Sequence, residues 1–118
     1  MIRGVGIDTV VAARIEKVVS QGDHFARGVL TDKEYTLYQP LKFRRKVEFL
    51  AGRFSVKESF SKAFGTGLGK AVGLKDVETL WDDKGNPVTT STVYHGQIHV
   101  SISHDGQQIV TIVILEDR

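Results

Sequence analysis

A chain of 118 residues and 13.1 kDa fits a single domain, residues 1–118, and a chain of this length buries roughly two-thirds of its unfolded surface, enough for a core without staples. Hydrophobic residues at 41% and charged residues at 25% exclude a disordered or collagen-like chain, and the absence of cysteine excludes disulfides, thiolate zinc sites and cysteine nucleophiles. The net charge of +2 hides an uneven distribution: residues 40–62 hold seven basic against two acidic side chains, residues 1–39 balance, and residues 63–118 are net acidic. Such a basic segment suits phosphate, nucleic acid or an acidic protein as partner, or is no more than a solvated helix face. The longest apolar stretch, residues 109–115, is far short of the ~20 residues a membrane span needs. Asp8 stands where a signal peptide would be apolar. The expectation is a cytoplasmic protein without a membrane span.

No repeat or linker divides the chain. Residues 2–8 predict a short strand in which Gly4 and Gly6 mark a close backbone approach. Residues 11–19 predict a short helix, and Phe25 and Arg27 fall in the loop after it. Thr31 and Glu34 have capping-box spacing, which predicts a second short helix from there. The strongest helical pattern runs over residues 42–64. Phe43, Val47, Leu50 and Phe54 form one apolar stripe, Phe49, Val56, Phe60 and Ala63 an adjoining one, and Gly65-Thr66-Gly67 stops the helix. From residue 74 the period changes to two. Strands are predicted over 74–81, 88–94, 98–103 and 109–115, with turns at Asp83-Lys84-Gly85-Asn86-Pro87, His95-Gly96 and Asp105-Gly106. Short connections imply antiparallel pairing. The fold class is α+β: one strand, helices including one long central helix, then an antiparallel β-meander.

Several residues in this frame have chemical potential. Asp8 ends an apolar strand, so its carboxylate needs a partner, either as a cap for the next helix or with a cation. Glu58 and Lys62 are spaced i, i+4 on the long helix, which gives either a helix ion pair or a metal ligand beside a phosphate-binding ammonium. Glu58 and Lys57 sit among Phe54, Val56 and Phe60, and that apolar setting favours the functional reading. Gly65-Thr66-Gly67-Leu68-Gly69-Lys70 is not a Walker A loop, because it follows a helix and lacks the first glycine. It reads as a helix stop, with an anion nest formed by its N–H groups as the alternative. His95, His99 and His104 lack a completing carboxylate or thiolate pattern for zinc. Alternation over residues 99–104 places Val100 and Ile102 on the core face, and His99, Ser101, Ser103 and His104 are read as a donor set on the other.

Three segments together resemble the holo-acyl-carrier-protein synthases, the short trimeric branch of the phosphopantetheinyl transferases. They are Gly6-Ile7-Asp8 followed by Arg14-Ile15, the block from Phe49 to Gly67 containing Lys57-Glu58 and Lys62-Ala63-Phe64-Gly65-Thr66-Gly67, and His99-Val100-Ser101-Ile102-Ser103-His104. Order and spacing match over essentially the whole chain. The departures, such as Ser59 where the family more often has Ala, touch no residue given a role.

The resemblance implies a phosphopantetheinyl transferase of fatty acid biosynthesis. Coenzyme A would donate its 4'-phosphopantetheine arm to a serine of apo acyl carrier protein, releasing 3',5'-ADP. It assigns Asp8 and Glu58 to Mg²⁺, with Mn²⁺ as a substitute, and makes Glu58, directly or through a metal-bound water, the acceptor of the serine proton. Lys62 would stabilise the breaking pyrophosphate. Arg53, Lys62, Gly65, Thr66, Gly67 and His104 would bind coenzyme A, with Asn86 and Pro87 near the adenine. Arg14, Phe25, Arg27, Arg44 and Arg45 would meet the acidic carrier. The active sites would lie between subunits of a homotrimer. The rival reading from another class is a basic nucleic-acid-binding α+β module using residues 40–62. Against it, Phe43, Phe49, Phe54, Phe60 and Phe64 fall at helical core spacing, not on a surface strand suited to stacking bases. The reading therefore includes neither nucleic acid nor a membrane as partner.

Overall fold

Two glycines decide how the layers meet. In the computed structural model, which describes residues 1–118, a strand β1 (Ile2–Val11) lies against a 22-residue helix α4 (Phe43–Phe64). A Cβ on Gly4 would stand 1.9 Å from the Ala63 carbonyl oxygen, and one on Gly6 1.9 Å from that of Ser59. Only a residue without Cβ permits that approach. The facing helix side chains, Ser55, Ser59 and Ala63, are correspondingly small and recur at every fourth position.

Three short helices separate these elements: α1 (Ala12–Ser20), α2 (His24–Val29) and α3 (Asp32–Tyr38). The capping box at Thr31 and Glu34 is formed as expected. Helix α2 replaces the loop expected around Phe25 and Arg27. It is six residues long and contains Gly28, and Asp23 at its N-cap position makes no cap bond because its carboxylate accepts from the Tyr35 hydroxyl instead. Gly65 ends α4 in the left-handed region at φ 98°.

After α4 a single 3₁₀ turn (Leu74–Asp76) leads into β2 (Val77–Trp81), β3 (Pro87–Ser91), β4 (Gln97–Asp105) and β5 (Gln108–Glu116). They do not form one meander. β2 and β3 make a separate ribbon, whereas β5 lies between β1 and β4 in a three-stranded antiparallel sheet. The chain leaves β3 at Thr92, whose N–H donates to the Asp76 carbonyl and whose hydroxyl bonds the Asp76 carboxylate. Val93 and Tyr94 donate to the Ser91 hydroxyl. Those side-chain bonds take the backbone groups that would have extended the ladder, so the strand predicted over 88–94 stops at Ser91.

Helix α4 has a core on two sides. Val47, Phe49, Leu50 and Ala51 pack with α1, α2, α3 and Ile109, while Val56, Phe60 and Ala63 pack with Val72, Val77, Val113 and Leu115. Phe43, at the first turn, is exposed and belongs to neither. Lys57 is fully buried, and its ammonium donates to Glu34 Oε1 at 2.7 Å and to the Val29 and Leu74 carbonyls at 2.8 Å each. Three acceptors satisfy its three N–H groups. Burial holds the ammonium below its usual range, opposed by the Glu34 charge. Glu34 also accepts from Thr79 N–H at 2.8 Å. The knot ties α2, α3, the 3₁₀ turn and β2 to α4 at the residue before Glu58, and removing one partner of such a pair costs about 3–5 kcal/mol because the other is left buried and charged. Lys57 is therefore a structural group, not a site residue.

The other face of the three-stranded sheet is uncovered. Val5 and Ile7 on β1 are more than half exposed. They pair with Ile114 and Ile112 of β5, which pair in turn with His99 and Ser101 of β4.

Candidate functional site

Two residues beyond Gly6, β1 presents Asp8 beside the middle of α4. Its Oδ1 accepts from Lys62 Nζ at 3.2 Å and its Oδ2 from the Ser55 hydroxyl at 3.0 Å. It caps nothing: α1 begins after Val11 without a side-chain cap bond. Lys62 also donates to the Ile7 carbonyl at 3.0 Å and is half exposed, so its third N–H is free for an anion. The ammonium bonds Asp8 and makes no ion pair with Glu58. Glu58 is half-buried, and desolvation raises its pKa above the usual carboxylate range; the Asp8 charge adds to the rise and Lys62 opposes it. Asp8 and Glu58 share a cleft of about 380 Å³ with Arg14, Val18, Phe25 and Phe54. Two neighbouring carboxylates offering only oxygen, beside one free ammonium N–H, suit a hard divalent cation and a phosphate.

A second groove, about 340 Å³, lies elsewhere on the protomer and brings together Arg45, Phe49, Arg53, Trp81, Ile102 and His104. The Arg53 guanidinium lies between the rings of Phe49 and Trp81, 4.0 and 4.4 Å from their centroids. Its Nε donates to the Thr79 carbonyl at 3.0 Å. The residue is 2% exposed, yet Nη2 has no partner. Burial lowers its pKa to about 10 against the supporting charge of Glu34. A buried guanidinium with an orphan donor is poised for an acceptor from outside the protomer. Its setting between rings was not legible in the sequence, although Trp81 is the only tryptophan.

His104 is on the opposite sheet face from the one expected. Its register partner is buried Ile109, and it shares parity with Ile102, so it turns to the Arg53 groove. His99, Ser101 and Ser103 remain on the uncovered face, and His99 bonds Glu116 at 2.9 Å. Asn86 and Pro87 lie in the β2–β3 turn, where Pro87 pairs with Trp81 and so adjoins the groove wall. The N–H groups of Gly65, Thr66 and Gly67 all donate to the Ser61 carbonyl, at 3.0, 3.3 and 3.1 Å. That turn is a helix stop whose donors are taken, not an anion nest.

Arg14 and Phe25 line the Asp8 cleft, with Phe25 edge-on to Phe54 at 5.4 Å. Arg27 is exposed over the Tyr35 ring, 4.8 Å from its centroid. Arg45 belongs to the Arg53 groove and lies 3.9 Å from Glu48. Arg44 lines a neighbouring depression with Phe43 and His104. Within one protomer, therefore, Arg14 and Phe25 form one group and Arg44 and Arg45 another. The helix explains the division: Arg53 and Glu58 are five residues apart, hence ~140° around the axis. The sequence reading missed Ser55, Ser59 and Thr111, whose hydroxyls stand behind Asp8. Ser59 was the departure passed over as touching no site residue. Its i, i+4 spacing from Ser55 on a buried helix face was the available signal.

A family model described as the 4'-phosphopantetheinyl transferase superfamily matches residues 4–113. A Lactobacillus johnsonii protein named holo-[acyl-carrier-protein] synthase is 62% identical over 117 residues, covering 99% of this chain and 98% of that one. A Bacillus anthracis holo-(acyl-carrier-protein) synthase, crystallised in complex with CoA (3',5'-ADP), superposes with a TM-score of 0.92 at 42% identity, covering 100% and 99% of the two chains. The Helicobacter pylori synthase in complex with coenzyme A gives a TM-score of 0.84 at 30% identity, over 95% and 99%.

The state of Glu58 has a consequence for stability. A carboxyl group whose pKa is higher folded than unfolded costs stability wherever it is ionised, and the cost vanishes as pH falls below the unfolded value. Metal-free Glu58→Gln is therefore expected to melt above the parent at pH 7, with the gain shrinking as pH approaches 4.5, the ordinary value for Glu. Thermal melts across that range in chelator check this. A variant less stable at pH 7, or a gain independent of pH, contradicts it.

Proposed function

The chain belongs to the holo-acyl-carrier-protein synthases of the 4'-phosphopantetheinyl transferase superfamily, and on that premise we propose how its residues divide the work. It transfers the 4'-phosphopantetheine arm of coenzyme A to a serine of apo acyl carrier protein, giving holo carrier and 3',5'-ADP. The observation that carries the assignment is the convergence of Asp8, Glu58 and Lys62 at one point of the β1–α4 contact, in a cleft shared with Arg14 and Phe25.

Asp8 and Glu58 would hold Mg²⁺, for which Mn²⁺ would substitute, because both offer only oxygen. When bound, the ion supplies positive charge where the pyrophosphate and its leaving group need neutralising. The chain's own groups do the rest. Lys62, anchored by Ile7 and Asp8, directs its third N–H at a phosphate oxygen. Glu58 takes the proton from the attacking serine hydroxyl, directly or through a water. The serine oxygen forms the new bond to phosphorus, the pyrophosphate bond breaks, and 3',5'-ADP leaves with the electron pair.

The Arg53 groove supplies the nucleotide end. Arg53 and His104 meet phosphate, and the Asn86-Pro87 turn beside Trp81 meets the adenine. Gly65, Thr66 and Gly67 would border coenzyme A by shape alone, their N–H groups being taken. Because the two half-sites lie on different sides of α4, one copy's Asp8–Glu58–Lys62 works with a neighbour's Arg53 groove. A homotrimer closed through the uncovered sheet face provides this, and the exposed Val5 and Ile7 support it. Arg14, Phe25 and Arg27, with Arg44 and Arg45 from the neighbour, form the docking surface for the acidic carrier. We assign the carriers to fatty acid synthesis and the place of action to the cytoplasm.

Mass spectrometry of apo carrier incubated with coenzyme A reads transfer directly. Asp8→Ala and Glu58→Ala should each lower the rate by about 100-fold or more. Chelator should abolish transfer, and Mg²⁺ or Mn²⁺ restore it. Full activity in chelator contradicts the metal assignment.

Sharing of sites has its own test. Glu58→Ala mixed one to one with Arg45→Glu/His104→Ala, after subunit exchange, should recover about a quarter of parental activity, the fraction of interfaces with two intact halves. No recovery from a mixture shown to exchange contradicts the shared site.

A further inference from the structure

Asp8 is held from behind by hydroxyl groups that the transfer chemistry does not use. Ser55 and Ser59 stand one turn apart on α4, and Thr111 of β5 is the register partner of Asp8 across the ladder. All three are fully buried. Ser59 Oγ lies 2.7 Å from Thr111 Oγ1, which lies 2.7 Å from Ser55 Oγ, which lies 3.0 Å from Asp8 Oδ2.

Each hydroxyl has one hydrogen, and an ionised carboxylate only accepts. Ser55 therefore donates to Asp8. The hydrogen between Thr111 and Ser55 must then come from Thr111, since two lone pairs cannot face each other at 2.7 Å. By the same reasoning Ser59 donates to the Thr111 hydroxyl at 2.7 Å, with the Thr111 carbonyl oxygen 3.2 Å away as a second, longer contact. The chain has one direction, with every O–H dipole aimed at the carboxylate, and such chains polarise one another. Lys62 holds the other oxygen, Oδ1.

We infer that Ser59, Thr111 and Ser55 form a positioning relay that fixes the Asp8 carboxylate and thereby sets the affinity of the site for a divalent cation; this rests on the assignment of Asp8 and Glu58 as its ligands. Outer groups that orient a ligating carboxylate typically govern affinity by 10–100-fold. Without the relay, Asp8 keeps only its bond to the half-exposed Lys62 and turns toward that ammonium, away from the position shared with Glu58.

The test is Mn²⁺ titration of the purified chain, without coenzyme A or carrier, with free Mn²⁺ read by electron paramagnetic resonance. Ser55→Ala and the near-isosteric Thr111→Val should each weaken binding by roughly tenfold, and Ser59→Ala by less, because the two links nearest Asp8 remain. With both substrates present, kcat should fall at limiting Mn²⁺ and recover at saturating Mn²⁺, with KM for coenzyme A unchanged. A purely structural role would lower the melting temperature and leave Mn²⁺ affinity alone. Parental affinity in folded Ser55→Ala and Thr111→Val, with Asp8→Ala losing the ion, overturns the relay while the ligand assignment stands. No Mn²⁺ binding by the parent, or undiminished binding by Asp8→Ala, overturns the assignment and the relay with it.

Discussion

The Cβ atoms of residues 4 and 6, if present, would stand 1.9 Å from two carbonyl oxygens of α4. β1 and α4 thus meet backbone to backbone, and the chemistry is organised around that contact. Once Gly4 and Gly6 have brought strand and helix together, the next helix-facing position on the strand is Asp8. The residues of α4 then level with it are Ser55, Glu58, Ser59 and Lys62. A side chain at residue 4 or 6 would push strand and helix apart and separate those groups. The same closeness explains the small residues on that side of α4, which buries bulky ones on the flanks instead.

The helix then divides labour by angle. Lys57 faces inward and is used up in fixing α2, α3 and the 3₁₀ turn. Glu58, the next residue, looks into the Asp8 cleft, whereas Arg53 looks across to Trp81 and His104. One rigid element thereby lines two different clefts, and any displacement of α4 is felt in both. The arrangement also concentrates unfavourable electrostatics: a half-buried Glu58 beside Asp8, and a buried Arg53 with a free donor. Such groups lower stability in the empty chain and strengthen binding of a ligand that completes them.

Much of this was legible in the sequence where local physics decides. The long helix, its glycine stop, the capping box at Thr31 and the meaning of Gly4 and Gly6 follow from period, φ and the absence of a Cβ. The strand alternation placed Val100 and Ile102 correctly. His104 was misplaced because it was grouped with His99 by residue type, although its parity is that of Ile102. What sequence could not show was the result of long-range bonding. Nothing local reveals that Asp76 captures Thr92 and splits the strands into two sheets, or that Glu34 on α3 receives Lys57. Asp8 offered a cap or a cation as partner. Only the tertiary contact shows that each of its oxygens accepts one bond, from Lys62 and from Ser55, with lone pairs to spare, and that it caps nothing.

The most direct measurement of the central claim is the transfer rate of Gly6→Ala, expressed per folded molecule by circular dichroism. An added methyl group cannot coexist with the Ser59 carbonyl at 1.9 Å, so β1 and α4 must separate by about 1 Å or more. A displacement of that size in a catalytic constellation costs about 100-fold in rate. The account predicts that the folded fraction of Gly6→Ala loses transfer by that order. A folded Gly6→Ala chain with parental transfer would contradict it, because the acidic pair would then not depend on how closely strand and helix meet.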